Sequence, residues 1–117
     1  MAEGAVADVT TTVLKGGLAP VLKGQAGEAA ARAIENIGVK QAIQVGGRTR
    51  IPDGITATTL NEVKNVFSLS LTQQLKDDIT YAAANNLKFQ LWVSPSTILS
   101  PPLLNAIAAG QIVLRRF

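Results

Sequence analysis

The sequence contains no cysteine and no histidine. Without cysteine it has neither a disulfide nor a thiolate metal site. Without histidine it has no Ser-His-Asp or Cys-His centre, no imidazole general base and no histidine-ligated zinc. Hydrolytic chemistry in this chain must therefore rest on carboxylates, lysine and a hard metal. Long apolar runs are missing too: no stretch approaches the ~18 consecutive apolar residues of a membrane span. The N-terminus lacks the basic-then-apolar layout of a signal peptide. Charged residues make up only 16% of the chain and apolar residues 47%, with no long charge run. Disorder throughout is excluded on that balance. A length of 117 residues sets one domain, with room for a real core but not for two. The net charge of +3 is scattered, with one short cluster at Arg115-Arg116. Such a balance is compatible with nucleic acid without demanding it.

What is present centres on Arg50-Ile51-Pro52-Asp53-Gly54-Ile55 and Thr59-Leu60-Asn61-Glu62-Val63-Lys64. An aspartate follows a proline turn, and a Glu-x-Lys triplet follows inside a β-prone run. Strand side chains alternate faces, so Glu62 and Lys64 share one side with Leu60, while Asn61 and Val63 point to the other. Mg²⁺ prefers hard oxygen ligands and takes one or two carboxylates with water and phosphate. Asp53 and Glu62 are candidates for those carboxylates, and the Val63 carbonyl is a third donor within reach. A metal there would neutralise a phosphodiester and acidify a bound water. Lys64 would orient that water or stabilise developing negative charge. The competing reading is a strand with solvated charges beside a hairpin, because Pro-Asp-Gly is itself a turn signal.

Residues 1–23 are rich in Ala, Gly, Thr and Val and read as a tether with one short helix from Val6 to Leu14. From Gly27 to Ile37 the pattern is helical, with a stripe of Ala30, Ala33, Ile34 and Ile37 and a stop at Gly38. Glu28 and Glu35 lie on roughly the opposite face with Arg32 between them, either as an ion-paired solvated face or as an acid leaning toward the site. Strands are expected at Gln41–Val45, Arg50–Ile55 and Thr58–Val66, forming an antiparallel meander. A helix over Ser70–Asn85, capped by Ser70 or Thr72, has a stripe of Leu71, Leu75, Ile79, Ala82 and Ala83. Gln74, with Tyr81, flanks that stripe and Gln73 lies nearly opposite, so Gln74 is the glutamine expected to face a site. Lys88–Val93 reads as a strand with Phe89, Leu91 and Val93 inward and Trp92 packed under a helix. Ser100-Pro101-Pro102 opens a short helix to Ala109. Gln111–Arg116 reads as a last strand at an edge, parallel to the one before it.

Taken together, Arg50-Ile51-Pro52-Asp53-Gly54, Glu62-Val63-Lys64-Asn65-Val66 and Ser70-Leu71-Thr72-Gln73-Gln74-Leu75-Lys76-Asp77 with Tyr81-Ala82, in this element order, resemble the PD-(D/E)xK nuclease superfamily. More narrowly, the chain from about Gly24 onward is similar to the restriction-endonuclease-fold toxin domains of bacterial polymorphic toxins. The resemblance implies an α/β (α+β) restriction-endonuclease-like core around a central mixed sheet, spanning 24–117. It implies Asp53 and Glu62 as metal-binding acids, Lys64 as the catalytic lysine, Gln74 as the supporting glutamine and Glu28 as the first-helix acid, with Glu35 the fallback. It implies Mg²⁺ or Mn²⁺ as cofactor, DNA as substrate and a cognate immunity protein as partner. Delivery by a bacterial secretion system into a competitor's cytoplasm follows from the same likeness, and the absence of cysteine is compatible with it. Oligomeric state is left open, a dimer included. Two other readings remain: a housekeeping resolvase or repair nuclease using the same residues, and a non-catalytic interaction module on the same fold.

Overall fold

The computed structural model describes residues 19–117. The expected short helix at Val6–Leu14 lies outside them, as does most of the expected tether. In chain order the elements are α1 (Ala19–Ile34), β1 (Ile43–Val45), β2 (Arg48–Arg50), β3 (Gly54–Ile55), β4 (Thr59–Lys64), β5 (Ser68–Leu69), α2 (Gln73–Ala84), β6 (Lys88–Val93), β7 (Ile98–Leu99), α3 (Pro101–Ala108) and β8 (Val113–Arg116).

The central sheet has the order β3-β4-β6-β8. β3 runs antiparallel to β4, β4 parallel to β6, and β6 parallel to the edge strand β8. Both faces are covered, so β6 is buried at every position after Lys88, as an inner parallel strand should be. One face carries Leu60, Phe89, Leu91 and Val93 against Leu75 and Ala82 of α2 and Leu103 and Ala106 of α3. The other carries Trp92 and Val63 against Ala31 of α1, with Ile37 and Phe117. Alternation along β4 therefore sends Glu62 and Lys64 toward α2 and leaves Asn61 and Val63 beneath α1.

Four expectations change. Helix α1 starts at Ala19 rather than Gly27 and ends at Ile34 rather than Ile37. Its buried positions are Gly27 and Ala31, while Ala33 and Ile34 are exposed. Close approach sets that register: a Cβ on Gly27 would stand 2.6 Å from the Asn65 Cβ. The smallest residues face the sheet because the helix lies almost on it.

The expected meander is also divided. β1 and β2 form their own two-stranded hairpin, turned at Gly46 and Gly47, whose φ of 56° and 78° suit a tight hairpin turn. The strand expected over Arg50–Ile55 breaks at Ile51-Pro52-Asp53, because proline offers no N–H to a ladder. Asp53 consequently sits on a bend at the start of β3. The hairpin is tied to α2 instead: Arg48 and Arg50 both bond the buried Asp77, at 2.7–2.9 Å.

Third, α2 begins at Gln73 under Thr72, whose hydroxyl accepts from the Leu75 N–H, rather than at Ser70. Its Leu75 and Ala82 are buried as expected, but Ala83 is exposed and Asp77 and Asp78 are buried. Fourth, β5 and β7 pair as a short parallel ribbon from segments that carry no strand pattern.

Candidate active site

The site forms where the bend at Asp53, the second half of β4 and the first turn of α2 meet. Asp53 is held from two sides. Its Oδ2 accepts the Val63 backbone N–H at 2.8 Å, and its Oδ1 accepts from Lys40 Nζ at 2.9 Å. The Asp53 carbonyl accepts from Arg32 of α1 at 2.9 Å. The Pro52 bend thus places the carboxylate over an adjacent strand. Val63 enters the site through this N–H, on the edge of β4 next to β3.

Glu62 and Lys64 project from the α2 face of β4, two residues apart. Gln74, in the first turn of α2, joins them: its Nε2 donates to Glu62 Oε2 and its Oε1 accepts from Lys64 Nζ, each at 3.1 Å. Only one orientation of the amide satisfies both partners. Gln73 turns away and donates to Asp77. Of the two glutamines, it is Gln74 that faces the site.

Of the two first-helix acids, the structure brings Glu28 to this place. Its Oε1 accepts from Lys40 Nζ at 2.9 Å, the same ammonium that holds Asp53, and its Oε2 accepts from Arg32 at 3.2 Å. Glu35 lies elsewhere, bonded to Gln90 and Arg115, whose donors hold its carboxyl below the usual range. The two arginines at the C-terminus are not a free basic patch. Arg115 also stacks on Trp92 at 4.3 Å, and Arg116 bonds the carbonyls of Ser94, Pro95 and Thr97.

Three residues of this cluster escape a reading of the sequence: Lys40, Arg32 in its contact with Asp53, and Asp78. Asp78 carried a signal. With Leu75 and Ala82 it occupies positions i, i+3 and i+7 of the buried stripe, and an acid there is out of pattern. It is fully buried, and neither oxygen has a hydrogen-bond partner while Glu62 is a carboxylate. Lys40 gave no such signal, since it sits in a loop with no periodicity.

Crowding sets the electrostatics. Glu62 is 3% exposed. Burial first, then the adjoining Asp53 and Asp78 carboxylates, push its carboxyl far above the usual range. Burial likewise pushes Asp78 up, to about 6. Burial also acts on Asp53, but contacts from a protonated Glu62, from Lys40 and from the Val63 N–H outweigh it and hold Asp53 low. A carboxyl raised on folding binds its proton more tightly in the folded state. Its contribution to stability is therefore full below the unfolded pKa near 4.3 and is lost as pH rises toward the folded value. The cation-free protein should melt several degrees lower at pH 8 than at pH 5. Glu62→Gln, which keeps the shape without the charge, should remove most of that decline in thermal scans. A decline of equal size in Glu62→Gln would show that it originates elsewhere.

Among the described residues no group of three or more His, Cys, Asp or Glu side chains converges as a ready metal cage. Asp53 and Glu62 offer two hard carboxylates that repel one another in a largely buried place. A divalent cation relieves that repulsion, and one or two carboxylates with water and phosphate are the usual complement of Mg²⁺. The donors fit a hard divalent ion.

The sequence profile of restriction endonuclease fold toxin 7 matches residues 24–103. That span begins within α1 and takes in the rest of that helix, the whole Asp53–Lys64 segment, α2 and the opening of α3. No curated protein and no solved structure shows significant similarity to the chain.

Proposed function

The chain belongs to the restriction endonuclease fold toxin 7 family, and from that premise we propose that it is a metal-dependent nuclease that hydrolyses DNA phosphodiesters as a toxin domain. The observation that carries this reading is the unbroken chain Glu62–Gln74–Lys64 beside Asp53. It sets an acid pair and an ammonium on one side of a sheet, with an amide fixing the distance between them.

Asp53 and Glu62 would hold the cation, with the Val63 carbonyl as the expected backbone donor. A bound Mg²⁺ or Mn²⁺ supplies Lewis acidity toward the phosphoryl oxygen and acidifies a water. The protein's part is positioning. The Val63 N–H fixes the Asp53 carboxylate from behind, so one oxygen is committed to the backbone and the other is turned outward. Gln74 holds Lys64 Nζ beside Glu62, where it orients the attacking water and offsets negative charge growing on the phosphate. Glu28 supports the Asp53 side. Contacts to the phosphate backbone, rather than to base edges, suit a domain this small.

As a member of a toxin family it is delivered into the cytoplasm of a competitor cell in this reading, and a cognate immunity protein protects the producer. Among the described residues no helix is long and apolar enough to cross a membrane.

The test is cleavage of plasmid DNA and of total RNA by the purified protein, with Mg²⁺ and with EDTA. DNA should be degraded only when the metal is present. Cutting of RNA alone would keep the site and change the substrate. No cleavage of either polymer by folded, inhibitor-free protein would sink the enzyme reading and favour an interaction module.

A further inference from the structure

Resting on the reading of Asp53 as a cation ligand, we propose that Lys40 is a tethered counter-cation: its ammonium, bridging Asp53 to Glu28, occupies Asp53 Oδ1 and must leave that oxygen when a divalent ion binds there. Lys40 comes from the loop between α1 and β1, far from the catalytic strand in sequence. Its Nζ lies 2.9 Å from Asp53 Oδ1 and 2.9 Å from Glu28 Oε1. Asp53 Oδ2 is already taken by the Val63 N–H. Oδ1 is the Asp53 oxygen that meets no backbone donor, and Lys40 is a group on it.

The arrangement meets what a displaceable stand-in needs. Its side chain is 54% exposed, against 26% for Glu28 and 17% for Asp53, so it can swing into water while the acids stay. Two ion pairs of equal length, 2.9 Å each, hold the ammonium between the carboxylates. Arg32 remains on Glu28 and on the Asp53 carbonyl and keeps the acid pair in place when Lys40 leaves. Without such a cation, two acids would face one another at the mouth of the site. With it, the acids of the metal-free protein are neutralised, and a binding ion must be charged strongly enough to evict an amine.

Displacement lowers apparent cation affinity by the equilibrium constant of the lysine contacts. Two partly exposed ion pairs correspond to about a 2- to 30-fold effect. The experiment uses the full chain, with Ca²⁺ as probe so that ion binding is read without relying on turnover. Calorimetry at 0.15 M salt should show Lys40→Met binding Ca²⁺ about 2- to 30-fold more tightly than the wild type, and Asp53→Asn binding it far more weakly. In the wild type, acetylation by an amine-reactive ester, read by mass spectrometry, should speed up several-fold at Lys40 when Ca²⁺ saturates, and stay constant at Lys76. Unchanged affinity in Lys40→Met, or Lys40 equally protected with and without bound Ca²⁺, overturns the proposal while leaving the metal site intact. Absence of any Ca²⁺ or Mg²⁺ binding to the wild type overturns the metal reading of Asp53 and this proposal with it.

Discussion

A Lys64→Met chain is expected to cut DNA about 10²- to 10⁴-fold more slowly than the wild type, the range for losing a group that stabilises charge or handles a proton in the transition state. Methionine keeps most of the stem's volume, so the half-buried position stays filled. The ammonium donates to Gln74 Oε1. Its removal leaves Gln74 still bonded to Glu62, and Ca²⁺ affinity should change little because the acids are untouched. Glu62→Gln should lose activity as severely by a different route, through lost cation affinity, while its cation-free form is more stable than wild type near pH 8. The double variant should be no worse than the poorer single one, since residues that act as a unit are not additive. Initial rates on plasmid, ion titrations and thermal melts of the four proteins decide it. A Lys64→Met enzyme within about 10-fold of wild type would remove lysine from the chemistry and leave the acid pair as the whole of the site.

The largest effect on folding is expected from Trp92→Ala, about 3–5 kcal/mol, the range for deleting a large buried aromatic ring. Trp92 is 0% exposed and sits in the smaller of the two cores with Ala31 and Ile37, against Val63 and Phe117. That core is small, and little surrounds the cavity that could close it. The loss reaches polar groups as well. The indole Nε1 donates to Asn61 Oδ1, which Gln90 also contacts, and Arg115 stacks on the ring. Against a whole stability of about 5–15 kcal/mol, such a change leaves the variant marginal. Denaturant unfolding should show it, with Trp92→Phe recovering much of the packing but not the hydrogen bond to Asn61. A loss near 1 kcal/mol in Trp92→Ala would mean that α1 packs on the sheet without this ring as its anchor.

The strands and helices that were read correctly from the chain share one property: their signal is local. Lys88–Val93 carries Phe89, Leu91, Trp92 and Val93, interrupted only by Gln90, and is buried on both faces. Leu75 and Ala82 recur at helical spacing, and Thr72 stands where a cap must stand. Glu62 and Lys64 lie two apart in a strand, so their common face needs no tertiary information. Pairing Gln74 rather than Gln73 with that face also follows from helical phase. The errors have the opposite character. Apolar size points to one register of α1, whereas close approach to Asn65 at Gly27 sets another, with Gly27 and Ala31 buried. The Arg50–Ile55 run looked like one strand, yet Pro52 divides it between two sheets. The burial of Asp77 and Asp78 has no apolar signal in the helix and depends on Arg48, Arg50 and Glu62 coming from elsewhere in the chain.

Composition and spacing along the chain were enough for the chemistry available: no histidine, no cysteine, and an Asp, a Glu and a Lys placed for a hard cation. Those facts depend on residue identity and on the period of two in a strand, which any sequence displays. Which first-helix acid approaches Asp53, and which lysine rests on it, came only from the packed molecule. Glu28 and Glu35 are alike to any local rule, being seven positions apart in one helical pattern. They part because Glu28, inside α1, lies beside the Asp53 bend, whereas Glu35 follows the last turn of the helix and reaches Gln90 and Arg115. Lys40 bridges residues 12 and 13 positions away, and a contact of that kind exists only after loop closure has brought three separate segments together.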